Sequence, residues 1–169
     1  MAGTISAEIV TQTWQWMAER PASEAPRFSH QMKVEQPVIL VYLLASEAYA
    51  FTPNEQELIF YIGLVVWQIM KQGPKRLRKV TRRKLEQAER TNQKLLELLA
   101  SDSDADFVSA TRTMLETYPE PEVLGYVVET LMDEESYDPD DPPIREAYRG
   151  LAFVHLKTVV DAFVASLAP

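Results

Sequence analysis

Two apolar runs, Pro37–Phe51 and Leu58–Met70, stand close together in the first half of the chain, with the polar Asn54-Glu55-Gln56-Glu57 between them. Within the first run only Ser46 and Glu47 are clearly polar. A helix that is apolar on nearly every side is predicted to be buried rather than to lie on a surface. The second run has a strong start signal. Thr52 stands at the N-cap, Pro53 at the first helical position and Glu55 three residues after the cap, the arrangement of a capping box. Gly73-Pro74 supplies the stop. Each run falls short of the roughly 18–20 residues a bilayer span needs, so the pattern predicts a core hairpin, about 36–72, and no membrane partner.

A fainter copy follows. Pro37-x-x-Leu40-x-Tyr42-Leu43-Leu44-x-Ser46 aligns with Pro121-x-x-Leu124-x-Tyr126-Val127-Val128-x-Thr130, and Tyr61-x-Gly63-Leu64 aligns with Tyr148-x-Gly150-Leu151. The Pro and the mid-helix Gly each make a physical demand. Pro suits a first turn. Gly inside a helix costs about 1 kcal/mol against Ala, which close packing against another backbone should offset. The expectation is an internal duplication, with a second hairpin over about 120–167.

The remaining pattern is also helical. Ser6–Glu19 has an apolar face of Ile9, Val10, Thr13, Trp14 and Met17, with Trp16 off it. Pro21 and Pro26 bound a short linker, and Arg27–Glu35 reads as a brief helical turn. The connecting region 75–118 is expected to hold a long helix, Lys75–Ala100, and a second one from Ser103 to Thr117. On the long helix Thr81, Leu85, Ala88, Asn92, Leu95 and Leu99 share a face at alternating spacings. Phe107, Ala110, Met114 and Leu115 should face inward from the second, and a last helix should run from Pro143 to about Leu167. No stretch alternates with period two. The predicted fold is an all-α, single-domain bundle of about seven helices spanning residues 1–169.

Composition narrows the function classes. Across 169 residues there is no cysteine, which removes disulfides, thiolate metal sites and cysteine nucleophiles. The first residues show no basic region followed by an apolar block, so no secretory leader is expected and a soluble, cytoplasmic protein is. The net charge of −8 argues against a surface that coats nucleic acid as a whole.

Charge is nonetheless strongly separated. Lys71, Lys75, Arg76, Arg78, Lys79, Arg82, Arg83 and Lys84 run without an intervening acid. Cations at the start of a helix oppose its dipole, and a breach of that kind marks a candidate anion or partner site at Lys75, Arg76, Lys79, Arg82 and Arg83. The competing explanation is internal pairing. Asp102–Glu146 carries fourteen acids, and the acidic loop Asp133–Asp141 would lie over the basic run, while Arg82–Glu86 and Glu86–Arg90 are spaced as i,i+4 pairs.

Metal and catalytic motifs are wanting. Asp102-Ser-Asp104-Ala-Asp106 resembles the start of a calcium loop, but Phe107 and Thr113 stand where Gly and Glu are needed. No Glu-x-x-His, glycine-rich phosphate loop or nucleophile elbow occurs, so no cofactor is expected. His30 and His155 are the histidines, and His155 aligns with Gln68 in the copy. Tyr42, Glu47, Tyr126 and His155 form a candidate cleft between the hairpins. Trp14, Trp16 and Trp67 read as core or interface anchors. Three functions follow in order of preference: a non-catalytic helical module that binds another protein or itself; nucleic-acid or anion binding through residues 71–84; and a small-ligand binder or enzyme using the cleft.

Overall fold

The computed structural model describes residues 4–45, 51–99, 104–132 and 142–169. Over these residues the protein is all-α, with eight α-helices against the expected seven or so. They are α1 (Ala7–Ala18), α2 (Ala25–Glu35), α3 (Pro37–Leu44), α4 (Pro53–Gln72), α5 (Arg82–Leu99), α6 (Asp104–Thr117), α7 (Pro121–Met132) and α8 (Arg149–Ala165), with 3-10 turns at Ala22–Glu24 and Glu146–Tyr148. None is long and apolar enough to cross a membrane.

Helices α4 and α8 pack on each other at the centre. Ile62 to Met70 on α4 and Ala152 to Val160 on α8 are each buried without a break. Full burial of one large aliphatic or aromatic side chain is worth about 1.5–3 kcal/mol, so these two runs dominate the cohesion of the fold. Around them α1 lies on α4 and α7, α7 on both central helices, and α5 along α8. The buried side chains form one continuous cluster.

The capping box at α4 forms as the sequence predicts. Thr52 Oγ1 accepts from the Glu55 N–H and Glu55 Oε1 accepts from the Thr52 N–H. Glu55 also accepts from the Arg145 N–H at 2.8 Å and from its guanidinium at 2.9 Å. Burial pushes the Glu55 carboxyl up, but the Arg145 side chain and the two backbone donors outweigh it and hold it below the ordinary value. Gly73 closes the helix as expected.

Four elements differ from the sequence reading. The brief turn expected at Arg27–Glu35 is a helix of 11 residues, with Pro26 in its first turn. Helix α3 ends at Leu44 and buries one face only. Ile39 and Leu43 point inward, while Val41 and Leu44 are 68% and 57% exposed, because among the described residues α3 has neighbours on one side alone. Helix α8 begins at Arg149 rather than Pro143. The preceding Arg145 has a ψ of 137°, outside the helical region, and there gives its N–H to Glu55.

The fourth difference is the largest. The connecting helix does not begin at Lys75, and residues 75–81 are not helical. Leu77 bridges antiparallel to Leu167, the Arg78 N–H donates to the Ser166 carbonyl, and the Ala168 N–H donates to the Arg76 carbonyl. Gln36 completes the tie. Its Nε2 donates to the Arg78 carbonyl and its Oε1 accepts from the Val80 N–H. With these backbone groups committed elsewhere, helix starts only at Arg82, after Thr81, whose Oγ1 accepts from the Lys84 N–H.

Of the seam predicted for α5, Leu85, Ala88 and Asn92 are buried, while Thr81 precedes the helix and is exposed. Gly63 is a close-approach position, although against a side chain rather than a backbone. A Cβ there would sit 2.6 Å from Leu43 Cδ1 and 3.2 Å from its Cγ. Leu43 is itself buried and has little room to withdraw. Gly125 on α7 has nothing within 4 Å of the same point. Gly63→Ala should therefore destabilise by about 1–3 kcal/mol through overpacking, whereas Gly125→Ala should stabilise by up to about 1 kcal/mol through helix propensity. Guanidinium melts of the two variants check this. Shifts of the same sign would contradict it, and Leu43→Ala should relieve the Gly63→Ala penalty.

Candidate functional site

Among the described residues, a dense set of polar side chains lies at the contact between α5 and α8. Asn92 extends from the α5 seam and is 2% exposed. Its Nδ2 donates to Thr158 Oγ1 at 3.2 Å and to Asp161 Oδ2 at 2.8 Å, and its Oδ1 accepts from Lys157 Nζ at 2.8 Å. Lys157 also pairs with Asp161 at 2.8 Å, one helical turn along α8. The Tyr118 hydroxyl, just beyond α6, donates to Asp161 Oδ1. Burial, the Asp161 charge and that hydrogen bond all push the Tyr118 phenol up, so it is a fixed donor. Thr158 closes the set by donating to the Val154 carbonyl. The groups satisfy one another, as a buried charge requires. The sequence signals were an Asn inside a leucine seam and a Lys–Asp pair at i,i+4. The partners of Asn92 lie more than sixty residues away, which is why the set escapes a reading by periodicity.

The predicted cleft is only half assembled. Tyr42 on α3 and His155 on α8 do meet, their rings stacked with centroids 4.4 Å apart and planes 13° apart. His155 is 2% exposed. Burial pulls its imidazole from 6.5 down to about 4, with the Tyr42 main chain acting in the opposite direction. Outside the stack, Tyr42 lines an open groove of about 450 Å³ with Asn92, Thr158, Glu86 and Glu89. Burial and the Glu86 charge push the Glu89 carboxyl up. Tyr126, which was expected in the same cleft, lines a different groove, because α7 turns it toward α4. Glu47 lies outside the described residues. The aligned tyrosines thus have unlike surroundings.

That second groove, about 690 Å³, runs between α1, α4 and α7. Trp14, Ala18, Tyr61, Tyr126, Val128 and Met132 give it apolar walls, and Glu129 and Thr130 add polar groups. The sequence pattern places Trp14 on the apolar face of α1 as a core or interface anchor. It is 39% exposed and Tyr61 is 38% exposed, because α1 meets its neighbours through Val10, Thr13 and Met17. Burial pushes the Tyr61 hydroxyl up, and burial with the nearby Tyr61 does the same for Tyr126. Trp16 lies off the buried face as predicted, edge-on to Phe28 with the Arg20 guanidinium over its ring. Trp67 is fully buried.

Of the basic run, Arg76, Arg78, Lys79, Arg82 and Arg83 are exposed and Lys75 is half-buried. Among the described residues none of these six lies within ion-pair distance of a carboxylate; Lys71 pairs with Glu35. The i,i+4 pairs read for Arg82–Glu86 and Glu86–Arg90 do not close. The acidic segment 133–141, expected to cover the run, falls outside the described residues, as do the side chains of Asp102, Asp104 and Asp106. Among the described residues no group of three His, Asp or Glu side chains is arranged to hold a metal ion. Compared with known proteins, the chain matches no family model, no curated protein and no solved structure.

Proposed function

We propose that this is a non-catalytic helical module that docks another protein through the groove between α1, α4 and α7. The observation that carries this reading is the pair of exposed aromatic side chains, Trp14 and Tyr61, placed over an apolar trough completed by Tyr126, Val128 and Met132. Aromatic residues and methionine are enriched in the cores of protein interfaces, and a few such anchors carry most of the binding energy. A helix or extended segment presenting one or two apolar side chains fits such a trough.

The test is capture from nuclease-treated source lysate with the native chain, Trp14→Ala, Tyr61→Ala and the distant surface variant Lys33→Ala. A discrete partner should be held by the native chain and Lys33→Ala and lost from both groove variants, since removing an anchor of this type costs about 2 kcal/mol or more of binding. Equal capture by all four chains would remove the groove from the reading. Sedimentation of the purified chain at micromolar concentration separates self-association from binding to another protein.

A further inference from the structure

The basic run is held as a rigid track. Its backbone is tied on one side to the Ser166 and Ala168 main chain and on the other to the Gln36 side chain, by four hydrogen bonds of 2.8–3.1 Å. Leu77 and Val80 turn inward, and Val80 is buried. Arg76 and Arg78 are two residues apart in an extended segment, so they project on the same side roughly 6.6 Å apart. Lys79 follows, and the track ends on the first turn of α5, where Arg82 and Arg83 stand beside the positive pole of an 18-residue helix.

We infer that this track binds the sugar–phosphate backbone of nucleic acid without reading its sequence. Three observations point to that ligand. In a chain of net charge −8, five exposed cations and the half-buried Lys75 keep no carboxylate partner among the described residues. Four of the six are arginines, whose planar fork matches phosphate oxygens. The cations are spread along the bridged, non-helical segment 75–81 and into a helix start, which suits a string of phosphates better than one isolated anion. No aromatic side chain stands between Lys75 and Lys84, so the track itself offers no platform for stacking bases. Its contacts are electrostatic and independent of sequence. This surface is separate from the aromatic groove, and either assignment can fail without the other.

The test uses fluorescence anisotropy with a labelled 20-mer oligothymidylate and a labelled 20-base-pair duplex, from about 50 to 200 mM salt. Native chain, Arg76→Glu with Arg78→Glu, and Arg82→Glu with Arg83→Glu are compared. An acid in the first turn of a helix favours the dipole, so the second variant should keep its helix, which circular dichroism verifies. The native chain should bind both probes at low salt. Each double reversal should weaken binding at least tenfold and flatten the plot of log K against log salt by roughly 1.4–1.8, the slope carried by two phosphate contacts. No binding at 50 mM salt, or equal binding by all three chains, overturns the inference. Capture of polyglutamate in preference to both oligonucleotides also overturns it, in favour of an acidic protein partner.

Discussion

Replacing Asp161 by alanine should lower the unfolding free energy by about 3–5 kcal/mol, the range found when one partner of a buried ion pair is removed. The variant strands three groups at once. Lys157 Nζ keeps only Asn92 Oδ1, the Tyr118 hydroxyl loses its acceptor, and Asn92 Nδ2 retains Thr158 alone. The buried Lys157, left without its counter-charge, is the expensive part. The double variant Lys157→Met, Asp161→Leu removes both charges and should be less destabilised than Asp161→Ala, although it contains one more substitution. Urea melts at neutral pH measure both. Such non-additivity is the signature of groups that act as a unit. A loss within about 0.5 kcal/mol for Asp161→Ala, typical of an ordinary surface change, would show that the seam is wetter than its burial implies.

Acidification should reveal His155. Its imidazole is held at about 4 in the fold against 6.5 for the free side chain. Below 6.5 the unfolded chain takes up a proton that the folded chain refuses. Stability is therefore complete above pH 6.5 and falls as the pH drops toward about 4, with a total near 3 kcal/mol at ~1.36 kcal/mol per unit. Glu55 acts over a lower window. Its depressed carboxyl contributes stability above the unfolded value of 4.5, and that contribution is lost as the pH falls through the folded value. His155→Phe keeps a ring against Tyr42 but cannot titrate. Between pH 6.5 and 4 the native chain should lose about 3 kcal/mol more than this variant, while Glu55 and the other carboxylates cancel in the difference. Parallel pH profiles would mean that His155 accepts its proton inside the fold.

What could be read from the sequence was what neighbours in the chain decide. The Thr52-Pro53-x-Glu55 start, the Gly73 stop and the α5 face of Leu85, Ala88 and Asn92 all depend on spacings of a few residues, and all stand as expected. Departures arose where a distant group had the final say. Residues 75–81 stand where the opening turns of the long helix are expected, but their backbone partners come from Gln36 and from Ser166 to Ala168. Pro143 suits a first turn, but Arg145 is held outside the helical region where it meets Glu55, ninety residues away. Trp14 falls on a helical face that periodicity places inside, and it is exposed because α1 packs through Val10, Thr13 and Met17, leaving Trp14 at the groove with Tyr61 and Tyr126. Of the candidate cleft, Tyr42 and His155 were brought together. The separation of Tyr126 was beyond reach, since no local spacing records which way one helix pair turns relative to the other.

The tie between residues 76–80 and 166–168 also sets an order of events during synthesis. Arg78 leaves the ribosome 88 residues ahead of Ser166, an interval of about 4–18 s at ~5–20 residues per second. Throughout that interval the backbone groups of the segment lack these final partners, and unpaired backbone groups can recruit strands from neighbouring nascent chains. Arg76, Arg78 and Lys79 then act as gatekeepers, because charged side chains along an open edge repel identical copies. The same cations that lie on the finished surface would keep the unfinished one from pairing with other copies until residues 166–168, just past α8, arrive.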